Sequence, residues 1–237
     1  VATHQFLSDT SDEGVGGWSP DFQVMWRLSR DDLLLLGFPL KLVTSADGEP
    51  EMDAAGLHIN PLEFIAAIIN LWLLLKCIQD LPPCETGYIV NLWSDNTSAL
   101  SWMKVTAATR NPDLQPLARF ASALLVQTSR LLTRVQPVHI PGKENMEADA
   151  LSRFQNGRLR SWADVISRCS RLETCKICLL PPALLVTLAE LSLCKPIVDT
   201  YDDVTTHLLT LASGSLPAGS NLRVLHGSLP PKYVPPK

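Results

Sequence analysis

The sequence predicts an α/β fold, a mixed five-stranded sheet flanked by helices, with a mainly helical or disordered C-terminal extension. Three observations predict it. Two strand-like segments near the start, Val1–Ser8 and Phe22–Leu28, are joined by a glycine-rich stretch. A long apolar helical run, Phe64–Leu75, is followed by a strand-like GYIVNLW that leads into helix-forming residues. An amphipathic segment, Pro112–Leu132, is followed by the β-branched VQPVHI. The resulting order is three strands, helix, strand, one or more helices, strand, helix, and its parallel crossovers should be right-handed.

Composition bounds the reading. The chain has 237 residues, 46% hydrophobic and 19% charged, which suits one ordinary globular domain with an appendage. Without an initiator Met, the sequence is read as a fragment or a processed piece of a longer polyprotein. No stretch has the pattern of a signal peptide. The apolar run Phe64–Leu75 is twelve residues long and ends at Lys76, too short to span a bilayer, so a buried helix and no membrane are expected. Six cysteines in a chain of this length do not make a disulfide scaffold. A reducing, intracellular compartment follows, cytoplasmic or nuclear. Charge is unevenly spread. Residues 1–100 carry 4 basic and 14 acidic side chains, residues 101–172 carry 11 basic and 5 acidic, and residues 173–237 carry 5 of each. A basic middle segment in an acidic protein is compatible with a phosphate-contacting face.

The elements follow in order. Val1–Ser8 is the first strand and ends at Asp9. Gly14, Gly16 and Gly17 mark a hairpin turn, and Phe22–Leu28 returns. Phe38–Val43 is read as the third strand, after the apolar Leu33–Leu36. Ala46–Gly56 is an acidic loop. Asn60 is a suitable N-cap and Pro61 a suitable first helical residue for the apolar helix ending near Cys77. Glu63 then falls where a capping box wants its acid. That helix is apolar on almost every face, as expected of one packed centrally on a sheet. Gly87–Trp93 is a strand delivering Asp95 to the start of the next helix, where it can serve as an N-cap or as a ligand at the carboxyl end of a strand. Trp102, on that helix, is read as core, with base stacking the lesser role.

Pro112–Leu132 is a long amphipathic helix, with Leu114, Leu117, Ala118, Ala121, Leu124 and Leu125 on its apolar side and Arg119 and Arg130 on its polar side. After the strand Val135–Ile140, Pro141-Gly142 is a turn. Glu144–Phe154 is a short helix with Met146, Ala150 and Leu151 toward the core. It carries Asp149, ten residues after His139. A helix-borne carboxylate facing a histidine beside a loop suits metal-assisted hydrolysis. The carboxylate holds a divalent ion and the histidine moves protons near neutral pH.

Beyond Phe154, Arg158, Arg160, Arg168 and Arg171 form a basic connector. Cys175-x-x-Cys178, with Cys169 and Cys194 nearby, admits a structural zinc. Without a second close pair, ordinary buried thiols are preferred. Leu179–Leu193 is helical, bounded by Pro181-Pro182 and Pro196. Tyr201-Asp202-Asp203 has the wrong spacing for a polymerase metal motif and is set aside. Leu216–Lys237 is rich in Pro and Gly and is expected to be disordered. The expected divisions are therefore 1–154, 155–215 and 216–237.

The wording of four stretches carries a family resemblance. Asp9 is followed by a small residue, Ser11, Gly14 and Gly16. His58-Ile59-Asn60 leads to Leu62-Glu63. Asp95-Asn96 precedes Ala99. His139, Gly142 and Asn145 lead to Ala148-Asp149, then Leu151-Ser152-Arg153. Together they resemble the ribonuclease H domain of retrotransposon reverse transcriptases, closest to elements encoding a tyrosine recombinase. The resemblance covers about residues 1–154. Asp12 competes with Asp9 for the first position, but Asp9 alone has the small residue and Ser after it.

The resemblance implies a ribonuclease H-like fold and two-metal hydrolysis of the RNA strand of an RNA–DNA hybrid. The ions would be Mg²⁺, with Mn²⁺ possible, roughly 3.5–4 Å apart. Asp9, Glu63, Asp95 and Asp149 would be the metal ligands. Glu63 and Asp95 would share one ion, Asp9 would bridge, and Asp149 would hold the water-side ion. His139 would assist proton transfer or product release. Asn96 and Asn145 would contact backbone, substrate or the catalytic loop. RNA would be told from DNA by its 2′-OH groups, and an upstream polymerase domain is the expected partner. Two other classes compete. One is a catalytically inactive or domesticated copy that binds nucleic acid or serves as a connection domain. The other, a transposase or integrase nuclease, is disfavoured because its Glu comes last and Glu63 comes second.

Overall fold

The structure is a computed structural model and describes residues 2–40, 59–82, 84–104, 111–153 and 161–193. Its strands are β1 (Ala2–Ser11), β2 (Gly14–Ser19), β3 (Val24–Ser29), β4 (Tyr88–Ser94), β5 (Thr133–His139) and β6 (Lys176–Ile177). Its helices are α1 (Arg30–Leu35), α2 (Ile59–Ile78), α3 (Thr97–Lys104), α4 (Gln115–Arg130), α5 (Met146–Ser152), α6 (Trp162–Arg168) and α7 (Pro182–Ser192). The strands form one mixed sheet in the order β5-β4-β1-β2-β3-β6. β1, β2 and β3 are antiparallel neighbours, while β4 pairs parallel with both β1 and β5.

The α/β class stands, but the sheet has six strands, not five. The sixth is a two-residue piece of the segment expected to be a helical extension, and it lies parallel to β3 through Val24 and Met25. The expected boundary at residue 154 falls outside the described residues, and the segment after it packs on the same sheet.

The early strands differ from the expectation. β1 runs on to Ser11, so Asp9 lies within a strand. The turn is confined to Asp12 and Glu13, and Gly14–Ser19 is itself a strand, buried along its whole length. Its glycines make room and do not make a turn. A Cβ on Gly16 would lie 2.5 Å from Leu151 Cβ and 2.7 Å from the Leu151 carbonyl carbon. One on Gly17 would lie 2.8 Å from both Asn70 Oδ1 and Trp26 Nε1. Glycine inside a strand commonly marks such a close approach. The third strand is therefore Val24–Ser29. Phe38 and Leu40 are buried in the core, Leu40 as a single β-bridge residue, and residues 41–43 lie outside the described set. α1 takes the intervening residues, closed by a capping box between Ser29 and Asp32.

α2 is the centre of the larger core. It is 20 residues long, and every residue from Leu62 to Leu75 is buried. By length and composition it could cross a membrane, yet 78% of its most apolar window is buried within this protein. The helix lies between the sheet and the helices α3 and α4. On the sheet it meets Phe6, Val15, Trp26, Val90 and Leu92; on the helix side it meets Leu117, Ala121 and Leu124. Each large apolar side chain so buried contributes about 1.5–3 kcal/mol. Its buried amide, Asn70, accepts a hydrogen bond from Trp26 Nε1 at 2.9 Å. Trp102 packs edge-on against Phe64, as its core reading expects.

The opposite face carries a smaller core. Alternate residues of the same strands, Leu7, Trp18 and Met25, meet Ala148 and Leu151 of α5, Val165 of α6, and Leu172. α5 is shorter than expected, and Met146, expected on its inner side, is 62% exposed. The later segment is fastened to α5 by Arg171. Its guanidinium lies over the Trp18 ring and pairs with Glu147 at 3.2 Å. The C-x-x-C pair is divided by the sheet, Cys175 packing with α5 and α6 and Cys178 with α2. Burial pushes both thiols up to about 11. Two sulfurs in separate cores cannot share a zinc, so that reading is withdrawn. Cys194, the Tyr201-Asp202-Asp203 run, the acidic loop 46–56, and residues 194–237 lie outside the described residues.

Candidate metal centre at the strand ends

The parallel register aligns the site. Leu7 pairs with Trp93, and two residues further along each strand come Asp9 and Asp95. Strand alternation puts Asp9 on the face that α5 covers, and Asp95 lies one residue past the end of β4. In the next strand His139 pairs with Ser94. From the other face, Glu63 in the first turns of α2 reaches toward the same point. Each of Asp9, Glu63 and Asp95 offers one carboxylate oxygen, and these oxygens lie within 4.8 Å of one another.

Glu63 is held by groups other than those of its own helix start. Oε1 accepts from the Thr10 amide and from Thr10 Oγ1, both at 2.8 Å, and Oε2 accepts from Ser94 Oγ at 3.2 Å. Asn60, the expected cap, accepts from Asn96 Nδ2 at 2.8 Å. Asn96, and not Asp95, caps α3: its Oδ1 accepts from the Ser98 and Ala99 amides. Asp95 is thereby left to face the cluster, with Gly142 closing over it. A Cβ on Gly142 would lie 2.9 Å from Asp95 Oδ2.

Asp9 is buried, and its Oδ2 accepts from Ser152 Oγ at 3.2 Å. Ser11 Oγ donates to the Ser152 carbonyl at 2.7 Å, so the end of α5 is stitched to β1 at Asp9 and at Ser11. Asn145 is buried and donates to the Ser8 carbonyl at 3.0 Å, fixing the loop before α5.

The expected residues therefore divide. Asp9, Glu63 and Asp95 converge. Asp149 faces Asp9 closely enough for their charges to repel, but its Oδ1 is held by Arg153, 2.6 Å from Nη2 and 2.7 Å from Nε. His139 stands exposed at the end of β5. Asn96 and Asn145 make structural bonds. Thr10, Ser94 and Ser152 are the contributors that sequence reasoning missed. Thr10 and Ser94 are adjacent to identified acids, and proximity was their only signal, whereas Ser152 stood within the Leu151-Ser152-Arg153 wording without a role of its own.

The charges are unbalanced. Burial, followed by repulsion from Asp95 and Asp149, pushes the Asp9 carboxyl up to about 7. Burial, followed by repulsion from Asp9, pushes Glu63 up to about 8. Among the described residues no Lys or Arg forms an ion pair with Asp9, Glu63 or Asp95. Buried carboxylates of one sign call for a counter-charge, and an all-oxygen donor set supplies what a metal ion needs. The cluster fits such an ion.

Fold and site together define a class: an α/β protein with a mixed, helix-flanked sheet whose strand ends carry three convergent carboxylates able to hold a metal ion. No family model, curated protein or solved structure matches the chain, so the comparisons take the identification no further.

Proposed function

We propose that the chain is a ribonuclease H, a metal-dependent endonuclease that hydrolyses the RNA strand of RNA–DNA hybrids as part of a retroelement reverse transcriptase. The observation that carries the reading is the convergence of Asp9, Glu63 and Asp95, in the chain order that the resemblance implies. The five strands β1–β5, with antiparallel strands first and parallel strands after, support a ribonuclease H-like fold, to which β6 is an addition.

The donor set is oxygen only, which suits Mg²⁺ or Mn²⁺. Asp9, Glu63 and Asp95 would hold the first ion, and Asp149, with Asp9, a second. Such ions activate water and stabilise the leaving oxygen of a phosphodiester. The chain's own residues prepare the site. Thr10 and Ser94 fix the Glu63 carboxylate with three hydrogen bonds, and Ser152 orients Asp9. Gly142 brings the loop after β5 against Asp95. His139, on the exposed rim, would assist proton transfer or product release, so its loss weakens activity without abolishing it. A hybrid substrate, an upstream polymerase that helps grip it, and an intracellular location belong to the same proposal.

The test is a labelled RNA–DNA hybrid incubated with the purified chain and Mg²⁺ or Mn²⁺, beside Asp95→Asn. Cleavage of the RNA strand alone, lost in the variant, is the expected result. If nothing is cut, the hybrid assay is repeated with a hybrid-binding module fused upstream. Continued inactivity there, with no metal bound at the acids, would establish an inactive copy.

A further inference from the structure

The one acid of the four that stays outside the converged cluster is the one with a cation on it. Asp149 sits in the middle of α5, and Arg153 follows the last residue of that helix with an extended backbone. From there two guanidinium nitrogens close on a single oxygen, Asp149 Oδ1, at 2.6 and 2.7 Å. Arg153 also lies within electrostatic reach of Asp9 and Glu13. Both partners are partly exposed, 56% for Arg153 and 40% for Asp149, so the pair is open to solvent and to ions.

We propose that Arg153 is a built-in counter-ion for Asp149, one that a second divalent ion must displace. This rests on reading the acid cluster as a divalent-metal site. One guanidinium cannot share an oxygen with a metal at full strength, because the two positive charges repel across a few ångströms. The triad, which has no ion pair of this kind among the described residues, fills first. The Asp149 side fills second, at higher metal concentration, as Arg153 swings away. An exposed pair at this spacing is weak, so the arginine tunes the second event and does not forbid it. Arg153 is thus a positioning residue, setting where the Asp149 carboxylate stands before metal arrives.

The test counts bound Mn²⁺ on the full chain by titration calorimetry or by the paramagnetic signal of the free ion, without substrate. The expected result is two events, a tighter one lost in Glu63→Gln and a weaker one lost in Asp149→Asn. Arg153→Gln should strengthen the weaker event roughly 2–5-fold and affect the tighter one less, while Arg153→Lys stays closer to the parent. Added salt should narrow the gap between Arg153→Gln and parent, because it screens the exposed pair. An unchanged or weakened second event in Arg153→Gln overturns the proposal while leaving the metal site standing. Absence of both events, with Glu63→Gln indistinguishable from parent, overturns the metal-site reading and this proposal with it.

Discussion

The acid site has a base and a rim, and they are built differently. The base is Asp9 and Glu63, on the central strand and the central helix. Both are buried, and three hydrogen bonds fix Glu63. The rim is Asp95 and Asp149, at a strand end and on a seven-residue helix, both partly exposed. Desolvation dominates at the base, where it raises both carboxyl groups. On the rim, Asp149 finds its own counter-ion in Arg153. The difference teaches that four acids in one site need not be equivalent. The base is preorganised and strained by its charge, so it gains most from a metal. The rim is adjustable and gains less.

The largest effect should separate the two regions directly. Glu63→Gln is expected to weaken metal binding by more than the about 10–100-fold typical of losing an outer partner of a ligand, whereas Asp149→Asn should cost roughly 10-fold or less at the first ion. Calorimetric titration of both variants measures this, and equal losses would erase the distinction between base and rim.

Next comes the contact that holds the rim over the base. Gly16 pairs with Asp9 across the β1–β2 ladder, and Leu151 of α5 lies on it. Gly16→Ala should destabilise the fold by about 1–3 kcal/mol through overpacking. Denaturant unfolding reads that loss. The same variant should lose affinity at the Asp149 side more than at the triad, since it is α5 that is pushed away.

The pH dependence sharpens the electrostatic half of the comparison. Folding raises Asp9 from 3.8 to about 7 and Glu63 from 4.5 to about 8. The folded state therefore favours their protonated forms. Their contribution to stability is fully present below about pH 4 and is lost as pH rises through 7 and 8. In chelator, the Tm of the parent should fall relative to Asp9→Asn between pH 5 and pH 8.5, and Mg²⁺ should close the gap. A parallel pair of pH profiles would mean that the base is not strained by its charge.

The smallest effect serves as a control. Leu132, 63% exposed, holds φ at 53° just before β5, a conformation that costs a side chain bearing a Cβ. Leu132→Gly should raise stability by up to about 1 kcal/mol, seen in denaturant unfolding, with metal affinity unchanged. A change in affinity would show that base and rim depend on global stability and not on local placement.

How much of this was legible in the sequence depends on how local the cause was. α2 announced itself by its apolar run, and β4 by the strand-like GYIVNLW that leads to Asp95-Asn96. The three converged acids could be named because each stands in a locally recognisable setting. β2 could not be read, because Gly14, Gly16 and Gly17 look like a turn until Leu151 and Asn70, far along the chain, are known to press on them. β6 is two residues long and exists only because β3 offers an edge. Met146 was placed inward by helical spacing, but it is the first residue of α5 and lies where that helix has not yet reached the sheet. The sequence left Asp95 open as helix cap or ligand, and the cap on α3 proves to be its neighbour Asn96. That single shift distinguishes a structural aspartate from one free to bind an ion.

The small β6 strand has a further consequence for the company the molecule keeps. A bare outer strand is a template on which another chain can be laid, and long stacks begin that way. On one side of this sheet, β6 occupies the template beside Val24 and Met25. On the other, β5 carries Pro137, which has no N–H to offer a newcomer. The protein thus blunts both margins, one by folding its own later chain back onto it and one by withholding a donor. Cutting the chain before Trp162 would reopen the first margin beside Val24 and Met25, leaving a strand edge that solicits another chain.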